Sequence, residues 1–155
     1  NVHDFDPGDH RFDLIVSVSA LEHIPNDEQL IDRLQDMLKP DGLELHFVPS
    51  GWGIFVYLWH GYRQYSLPMI GHRFGNTSSI AVPLGGLFSF VLHFVVITLG
   101  EMILSFKSRA RIPRIYGWLL DLALRFDRLA PICPTMYAIC RRSRASGSPD
   151  RMEPI

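Results

Sequence analysis

The stretch that decides the fold is residues 12–50, FDLIVSVSALEHIPNDEQLIDRLQDMLKPDGLELHFVPS. Residues 12–18 are an apolar run, rich in β-branched side chains and without helical spacing, which predicts a strand buried on both faces. A short loop, 19–25, leads to a helix, and residues 43–48 predict a second strand. Strand, helix and strand joined by short loops form a βαβ unit. We therefore expect two parallel strands with a right-handed crossover.

The helix between these strands is predicted from its capping and its amphipathic pattern. Asn26 can cap its amino terminus, and Gln29 stands at the third position of a capping box. Pro40 ends the helix, and Asp41-Gly42 makes the turn into the second strand. The apolar residues fall on one side, as expected for a helix that lies on a sheet; they are Leu30, Leu34, Met37 and Leu38.

Polar residues follow the first of these strands. Ligand sites in parallel sheets lie at the carboxyl ends of the strands. Here those ends are residues 17–19 and 49–51, and the loop after the first strand also carries Glu22 and His23. The residues alone therefore predict a small-molecule site at this edge of the sheet.

The same motifs resemble a known family. FDLIVSVSALEHIPN, then a helix, then LKPDGLELHFVPS is similar to the middle of class I S-adenosylmethionine-dependent methyltransferases of the type 11/12 kind. Members commonly show a strand of the form FDLIVS, a following L-E-H with an apolar residue, and a helix ending in L-K-P-G-G. The likeness covers residues 1–51, about the first third of the chain. It implies a Rossmann-like parallel sheet and S-adenosylmethionine as cofactor.

The resemblance also implies which residues hold that cofactor. Backbone atoms at the end of the first strand would lie beside its methionine part. The first two residues fall where relatives contact the adenine, although an ordinary polar loop explains them equally well. The cofactor-binding residues so implied are Asn1, Val2, Ser17, Val18, Ser19 and Glu22.

Two parts of the family's cofactor site are missing from the sequence. The glycine-rich loop after the family's first strand and the acidic residue that binds the ribose would both precede Asn1. We therefore expect an amino-terminally truncated domain with half a cofactor site, inactive as it stands.

His23 is the candidate catalytic residue. Its imidazole can act as a general base or orient a substrate hydroxyl, because its unperturbed pKa lies near neutrality. The alternative is that His23 shapes the loop or the cofactor pocket, and this alternative is favoured because L-E-H occurs in relatives with different substrates. Methyl transfer from a sulfonium chiefly requires in-line alignment, so a dedicated catalytic residue is not obligatory.

Composition sets further limits on function. The 155 residues suffice for one ordinary domain, and the net charge of −1 gives no case for nucleic-acid binding. Cys133 and Cys140 form no metal-ligand pattern and are predicted to be buried thiols in a reducing cytoplasm. No metal site is predicted.

The second half of the chain is aromatic and apolar. Residues 51–70, GWGIFVYLWHGYRQYSLPMI, carry six large rings. They predict either the lining of an apolar substrate pocket or one buried, ring-rich helix. His60, Arg63 and His72 stand nearby and can bind an acidic group. Residues 71–83 are assigned to a polar loop.

Residues 84–106, LGGLFSFVLHFVVITLGEMILSF, approach the length of a membrane span. Glu101 and three glycines interrupt the run, so a buried or membrane-surface helix is favoured over a span. The basic residues that follow suit an anionic membrane face or a solvated surface turn; they are Lys107, Arg109, Arg111 and Arg114.

The chain closes with an amphipathic helix, a strand and a polar tail. Residues 115–129 predict a helix on the sheet or on a bilayer surface. Residues 136–140 predict the antiparallel edge strand with which the family often ends, and residues 143–155 predict a disordered tail. The domain plan is thus a βαβ core at 1–51, an apolar, largely helical insertion at 52–132, and a last strand at 133–142.

These features predict an α/β fold and a function. We expect methyl transfer from S-adenosylmethionine to a small, hydrophobic acceptor, in the cytoplasm and with possible peripheral membrane contact. Two alternatives stay open: a non-catalytic methyltransferase-like binding module, and a membrane-anchored protein that uses residues 84–129. The sequence does not define the oligomeric state.

Overall fold

A computed structural model describes residues 5, 7–56, 61–75 and 79–143. Its centre is a four-stranded sheet with the strand order β1-β2-β4-β3. The strands are β1 (Phe12–Val18), β2 (Leu38–Pro49), β3 (Ser79–Leu84) and β4 (Met136–Arg142). The helices are α1 (Asp27–Asp36), α2 (Gly53–Val56), α3 (Leu67–Phe74), α4 (Leu87–His93), α5 (Ser108–Arg111) and α6 (Pro113–Asp127). This mixed α/β architecture confirms the predicted fold class.

The predicted βαβ unit is present as β1, α1 and β2. β1 and β2 are parallel, and their register jumps from Phe12↔Leu38 to Leu14↔Leu43. The jump lets residues 39–42 loop out, with Asp41 at a φ of +64°. Asp41-Gly42, predicted as the turn before the second strand, thus lies in a bulge within β2, which begins five residues earlier than expected.

The predicted capping box of α1 is wrong. Asn26 adopts a left-handed conformation, with a φ of +55°, and its side chain caps nothing. Its backbone carbonyl instead accepts a hydrogen bond from the amide of Gln29 at 3.2 Å. The helix therefore begins through a backbone turn.

β1 is not buried on both faces as predicted. Ile15 and Ser17 are half-buried on the face that the helices cover, whereas the side chains of Leu14, Val16 and Val18 on the other face are exposed. An uninterrupted apolar run does not distinguish a strand covered on both faces from one covered on a single face.

The last strand is antiparallel as expected but is not at an edge. β4 lies between β2 and β3 and pairs antiparallel with both. The edge next to β4 is formed by β3, most of which lies in residues 71–83, the stretch that the sequence assigned to a polar loop. Pro83 has no amide hydrogen to donate, and an edge strand tolerates this because one side of its ladder is open.

The hydrophobic core lies between the sheet and helices α1 and α3. Ile31 of α1, Phe74 of α3 and Ile139 of β4 are fully buried there, together with Val48 and Tyr65. The single face that these helices present to the sheet explains the amphipathic pattern of α1. Cys133 and Cys140 are free, half-buried thiols.

Residues 87–127 form a helical lid beyond the sheet. α4 continues into a π-helical segment, Phe94–Ile103, and α6 returns alongside α4. The amides of Phe88 and Ser89 donate to the Asp127 carboxylate at 2.8 and 3.1 Å, which joins the start of α4 to the end of α6. In the part of the chain that the structure describes, every helix is too short or too polar to cross a membrane.

Candidate functional site

The carboxyl ends of β1 and β2 meet at one edge of the sheet. Ser19 follows β1 with a φ of +45°, and its amide donates to the Phe47 carbonyl of β2 at 2.9 Å. The chain then forms a 3₁₀ turn, Leu21–His23, which buries Leu21 and Glu22 and exposes His23. β1 thus ends in a sharp turn beside β2, as the βαβ prediction requires.

A bridging segment, residues 61–65, lies across these two strand ends. The amide of Tyr62 donates to the Glu22 carbonyl at 2.7 Å, and Tyr65 forms a parallel bridge with Ser50. Gly61 has a φ of +71°, and a Cβ added there would lie 2.8 Å from the Glu22 carbonyl oxygen. Only glycine fits this close approach, so the segment is packed tightly on the loop after β1.

Asp27, at the start of α1, anchors the bridging segment and α3. Its buried carboxylate accepts hydrogen bonds from Arg63 and Arg73 and, at 2.6 Å, from the hydroxyl of Tyr65. Burial raises the pKa of Tyr65 to about 12, although the charges of Arg63 and Arg73 act in the opposite direction. The phenol therefore stays protonated and donates to Asp27.

An apolar pocket of about 470 Å³ lies where the chain leaves β2. Aromatic rings from three parts of the chain line it: Trp52 and Phe55 after β2, Tyr65 from the bridging segment, and Tyr137 from β4. Its size falls within the range of small-molecule sites, and its walls suit an apolar or aromatic ligand. The remaining lining residues are Gly51, Ser66, Leu67 and Pro68.

The pocket is attached firmly to the sheet. The amide of Ser50 donates to the Thr135 carbonyl at 3.0 Å, and its hydroxyl donates to the Pro134 carbonyl. The Ser50 oxygen also accepts from the Trp52 amide at 3.2 Å. Trp52 is therefore fixed at its backbone, while its ring stands 6.3 Å from that of Phe90 in α4.

The structure brings some of the predicted site residues together. Val18 and Ser19 are exposed at the end of β1, and His23 is exposed in the turn that follows. The Ser17 side chain is directed elsewhere, because its Oγ lies 2.8 Å from Nδ1 of His46 on the covered face of the sheet.

Glu22 lies beneath the loop after β1 and not at its surface. The Glu22 side chain is completely buried, and its Oε1 lies 3.9 Å from Nε2 of His23. The Glu22 carboxylate is therefore covered by the turn and is not exposed at this edge of the sheet. The predicted adenine contacts, Asn1 and Val2, lie outside the described residues, and so does His60.

Sequence reasoning missed the Asp27 cluster. Asp27 and Glu28 look like ordinary acidic residues of a first helical turn. The available signal was two arginines, Arg63 within the aromatic stretch and Arg73 just after it, and their partner is remote in sequence. The pocket rings Trp52 and Phe55, by contrast, belong to the stretch for which an apolar pocket was one prediction.

Known proteins share parts of this sequence and this fold. A family model described as a methyltransferase domain matches residues 1–45. No curated protein matches the chain in sequence. Among solved structures, a candidate sarcosine dimethylglycine methyltransferase from Galdieria sulphuraria aligns with a TM-score of 0.52 and 14% identity, over 92% of this chain and 57% of its own.

Two further solved structures align with the chain. The [4+2]-cyclase SpnF aligns with a TM-score of 0.50 and 14% identity, over 95% of this chain and 56% of its own. Coclaurine N-methyltransferase, solved with N-methylheliamine and S-adenosylhomocysteine (SAH), aligns with a TM-score of 0.45 and 14% identity, over 92% of this chain and 50% of its own. The chain thus spans little more than half the length of these structures.

The family match and the shared fold confirm the resemblance to class I S-adenosylmethionine-dependent methyltransferases. S-adenosylmethionine is the cofactor of this family. The fold alone does not define the reaction, since one of the aligned structures is named a cyclase.

Proposed function

We propose that the protein transfers a methyl group from S-adenosylmethionine to a small, hydrophobic acceptor. The observation that carries this proposal is the aromatic pocket of Trp52, Phe55, Tyr65 and Tyr137 at the carboxyl end of β2. It lies at the same edge of the sheet as the end of β1 and the loop that follows, to which we assign the cofactor. An apolar acceptor gains free energy by leaving water for such a pocket.

The cofactor side of the site is the loop after β1. Its exposed backbone at Val18 and Ser19 and the turn over buried Glu22 would hold the methionine part of the cofactor, with Ser17 supporting the strand end. Asn1 and Val2 would contact the adenine. The rings of Trp52 and Phe55 also suit the positive charge of a sulfonium, because aromatic faces attract cations.

The chain's own residues would supply alignment and a proton acceptor. When bound, S-adenosylmethionine provides a methyl group that is already activated by the sulfonium. The pocket rings would hold the acceptor with its nucleophilic atom in line with that methyl group. His23, exposed beside the buried Glu22 carboxylate, would receive the proton that an O–H or N–H acceptor loses.

Calorimetric titration of S-adenosylmethionine into the full-length gene product tests the cofactor assignment. We expect saturable binding and competition by SAH. A folded full-length protein that releases no heat with either compound would exclude the enzyme and leave the non-catalytic binding module as the better description.

His23→Ala tests the proton acceptor. We expect kcat to fall and its pH profile to lose the limb that reports the imidazole, with cofactor binding retained. His72→Ala is the matched control, because His72 is also exposed but lies on α3. If His23→Ala leaves the pH profile unchanged, His23 has only a structural role in the loop.

A further inference from the structure

Helix α6 carries two apolar faces, and one of them is exposed. Its covered face packs on the rest of the molecule through Tyr116, Leu119, Leu120, Ala123 and Asp127. A second set of apolar residues is exposed, with Trp118 at 63% and Leu129 at 78%. We call this set the stripe; it consists of Ile115, Trp118, Leu122, Phe126 and Leu129.

The stripe is a continuous surface. At 3.6 residues per turn, its four positions on α6 fall within an arc of about 80° on one side of the helix axis, and Leu129 follows in the turn after the helix. Its fourth member, Phe126, lies 5.5 Å from the ring of Phe88 in α4, which is also exposed. The stripe therefore extends from α6 onto the neighbouring helix. Clustered exposed apolar side chains of this kind are typical of a binding surface.

The far end of the lid adds apolar and basic side chains. The two ends of the lid meet where the Leu87 amide donates to the Ala130 carbonyl at 3.2 Å, so residues 104–112 form its opposite end, the tip. Leu104, Phe106 and Ile112 are exposed in the tip. The guanidinium of Arg111 lies over the ring of Phe106, 4.7 Å from its centroid.

Charge is distributed unevenly along the chain. Residues 101–129 contain six Lys or Arg and three Asp or Glu, a net charge of +3, whereas the whole chain has −1 and the remainder therefore −4. One of the three acids, Asp127, is buried, and Glu101 is engaged by Arg109 at 2.6 Å. The exposed apolar surface is thus accompanied by uncompensated positive charge.

We propose that the stripe and the tip dock the protein on the surface of an anionic lipid bilayer. The apolar side chains enter the boundary between headgroups and acyl chains, Trp118 lies at the polar interface, and the basic residues contact anionic headgroups. In this arrangement the docked helix lies in the plane of the membrane surface, so no spanning helix is needed. A second copy of the chain fits less well, because it would oppose two surfaces of the same positive charge.

The docking surface is connected to the apolar pocket. The hydroxyl of Thr98 in the π-helical segment donates to the carbonyls of Phe55 and Val56, at 3.1 and 2.7 Å. A lid bound to a bilayer would therefore hold the pocket near a reservoir of hydrophobic molecules. This last consequence rests on the proposed function; the docking itself does not.

Co-sedimentation of the full-length protein with vesicles tests the docking. The probes are vesicles of phosphatidylcholine with phosphatidylserine, and vesicles of phosphatidylcholine alone. We expect binding to the anionic vesicles, weakened by salt and by roughly fivefold for each of Arg114→Gln and Arg128→Gln. We expect Leu122→Ser to weaken it by on the order of tenfold, because it removes a side chain from the stripe.

Leu124→Ser is the matched control, since Leu124 is an exposed leucine of the same helix outside the stripe. It should bind vesicles as the wild type does, and circular dichroism should show all variants to be folded. Equal loss in the Leu122 and Leu124 variants, equal binding to both kinds of vesicle, or no binding by folded wild type would overturn the proposal. So would a dimer in solution that Leu122→Ser dissociates, because a second copy would then cover the stripe. S-adenosylmethionine binding is measured separately, so failure of the docking leaves the proposed function standing.

Discussion

Three charged or polar side chains are completely buried on the covered face of the sheet. Arg141 donates to the Glu44 carboxylate at 2.8 Å and to the Ile31 carbonyl of α1 at 2.9 Å, and His46 Nε2 lies 3.5 Å from the same carboxylate. Burial alone raises the pKa of Glu44, but hydrogen bonds from His46 and Arg141 and the charge of Arg141 outweigh it and hold the pKa below its ordinary value. Ionised Glu44 thus stabilises the fold above the ordinary carboxyl pKa, and this contribution is lost as the pH falls through the lowered value.

Glu44→Gln removes one charge of this buried pair and leaves Arg141 uncompensated. We expect the free energy of unfolding to fall by about 3–5 kcal/mol in urea denaturation. Asp13→Asn is the control, because it breaks the exposed Lys39–Asp13 pair and should cost less than about 1 kcal/mol. Similar losses in the free energy of unfolding in the two variants would show that the buried pair stabilises the fold no more than the exposed pair does.

Tyr65 makes the stability of the fold depend on pH in the alkaline range. Its pKa in the folded protein is raised to about 12, so the folded state keeps a proton that the unfolded chain releases near pH 10. Stability is therefore fully present below about pH 10 and is lost as the pH rises through about 12. We expect Tyr65→Phe to give a shallower alkaline fall in melting temperature than the wild type.

Tyr62→Phe is the control for this pH dependence, because Tyr62 is exposed and lies three residues away. It should keep the wild-type slope. A residual slope remains in every variant, because burial also raises the pKa of Tyr137. If the melting temperature of Tyr65→Phe falls with alkaline pH as steeply as that of the wild type, the folded protein does not keep the Tyr65 phenol protonated.

At the scale of elements, Asp127 joins the two ends of the lid. Its carboxylate accepts from the first amides of α4, so Asp127→Ala leaves them without this acceptor. We expect a loss of about 0.5–2 kcal/mol in stability and faster hydrogen exchange in α4. Asp121→Ala is the control, because it removes only an exposed pair with Arg125 on the same helix. Unchanged exchange in the Asp127 variant would show that the lid is held elsewhere.

The elements that could be predicted from the sequence are those with local signals. β1, α1 and β2 follow from an apolar run, an amphipathic period and a Pro-Asp-Gly turn, and α6 follows from its periodicity. β3 could not be predicted, because it is short, contains Pro83 and therefore has no clear strand pattern. Its position depends on pairing with β4, which follows more than fifty residues later. The Asp27 cluster could not be predicted for the same reason, because Arg63 and Arg73 are distant from Asp27 in sequence.

The site itself could be predicted in part. Parallel strands place their carboxyl ends together, so the edge formed by Ser19 and Ser50 was expected. The aromatic stretch left a pocket and a buried helix as alternatives. Trp52 and Phe55 line the pocket, and their side chains are about half exposed instead of buried in a helix.

At the scale of the whole molecule, the sheet supports two surfaces of different chemistry. One is the edge with the apolar pocket and the loop after β1. The other is the lid, with its stripe and basic tip, connected to the pocket through Thr98 and Phe55. This arrangement suits an enzyme whose acceptor is hydrophobic.

Transfer of labelled methyl groups tests this account most directly. The full-length protein is incubated with methyl-labelled S-adenosylmethionine and a panel of small aromatic and aliphatic alcohols and amines. We predict label in an organic-extractable product, strongly reduced by Trp52→Ala and retained by Leu124→Ala, which removes a similarly exposed apolar side chain outside the pocket. Absence of labelled product from a protein that binds the cofactor, or full transfer by Trp52→Ala, would contradict a hydrophobic acceptor bound in this pocket.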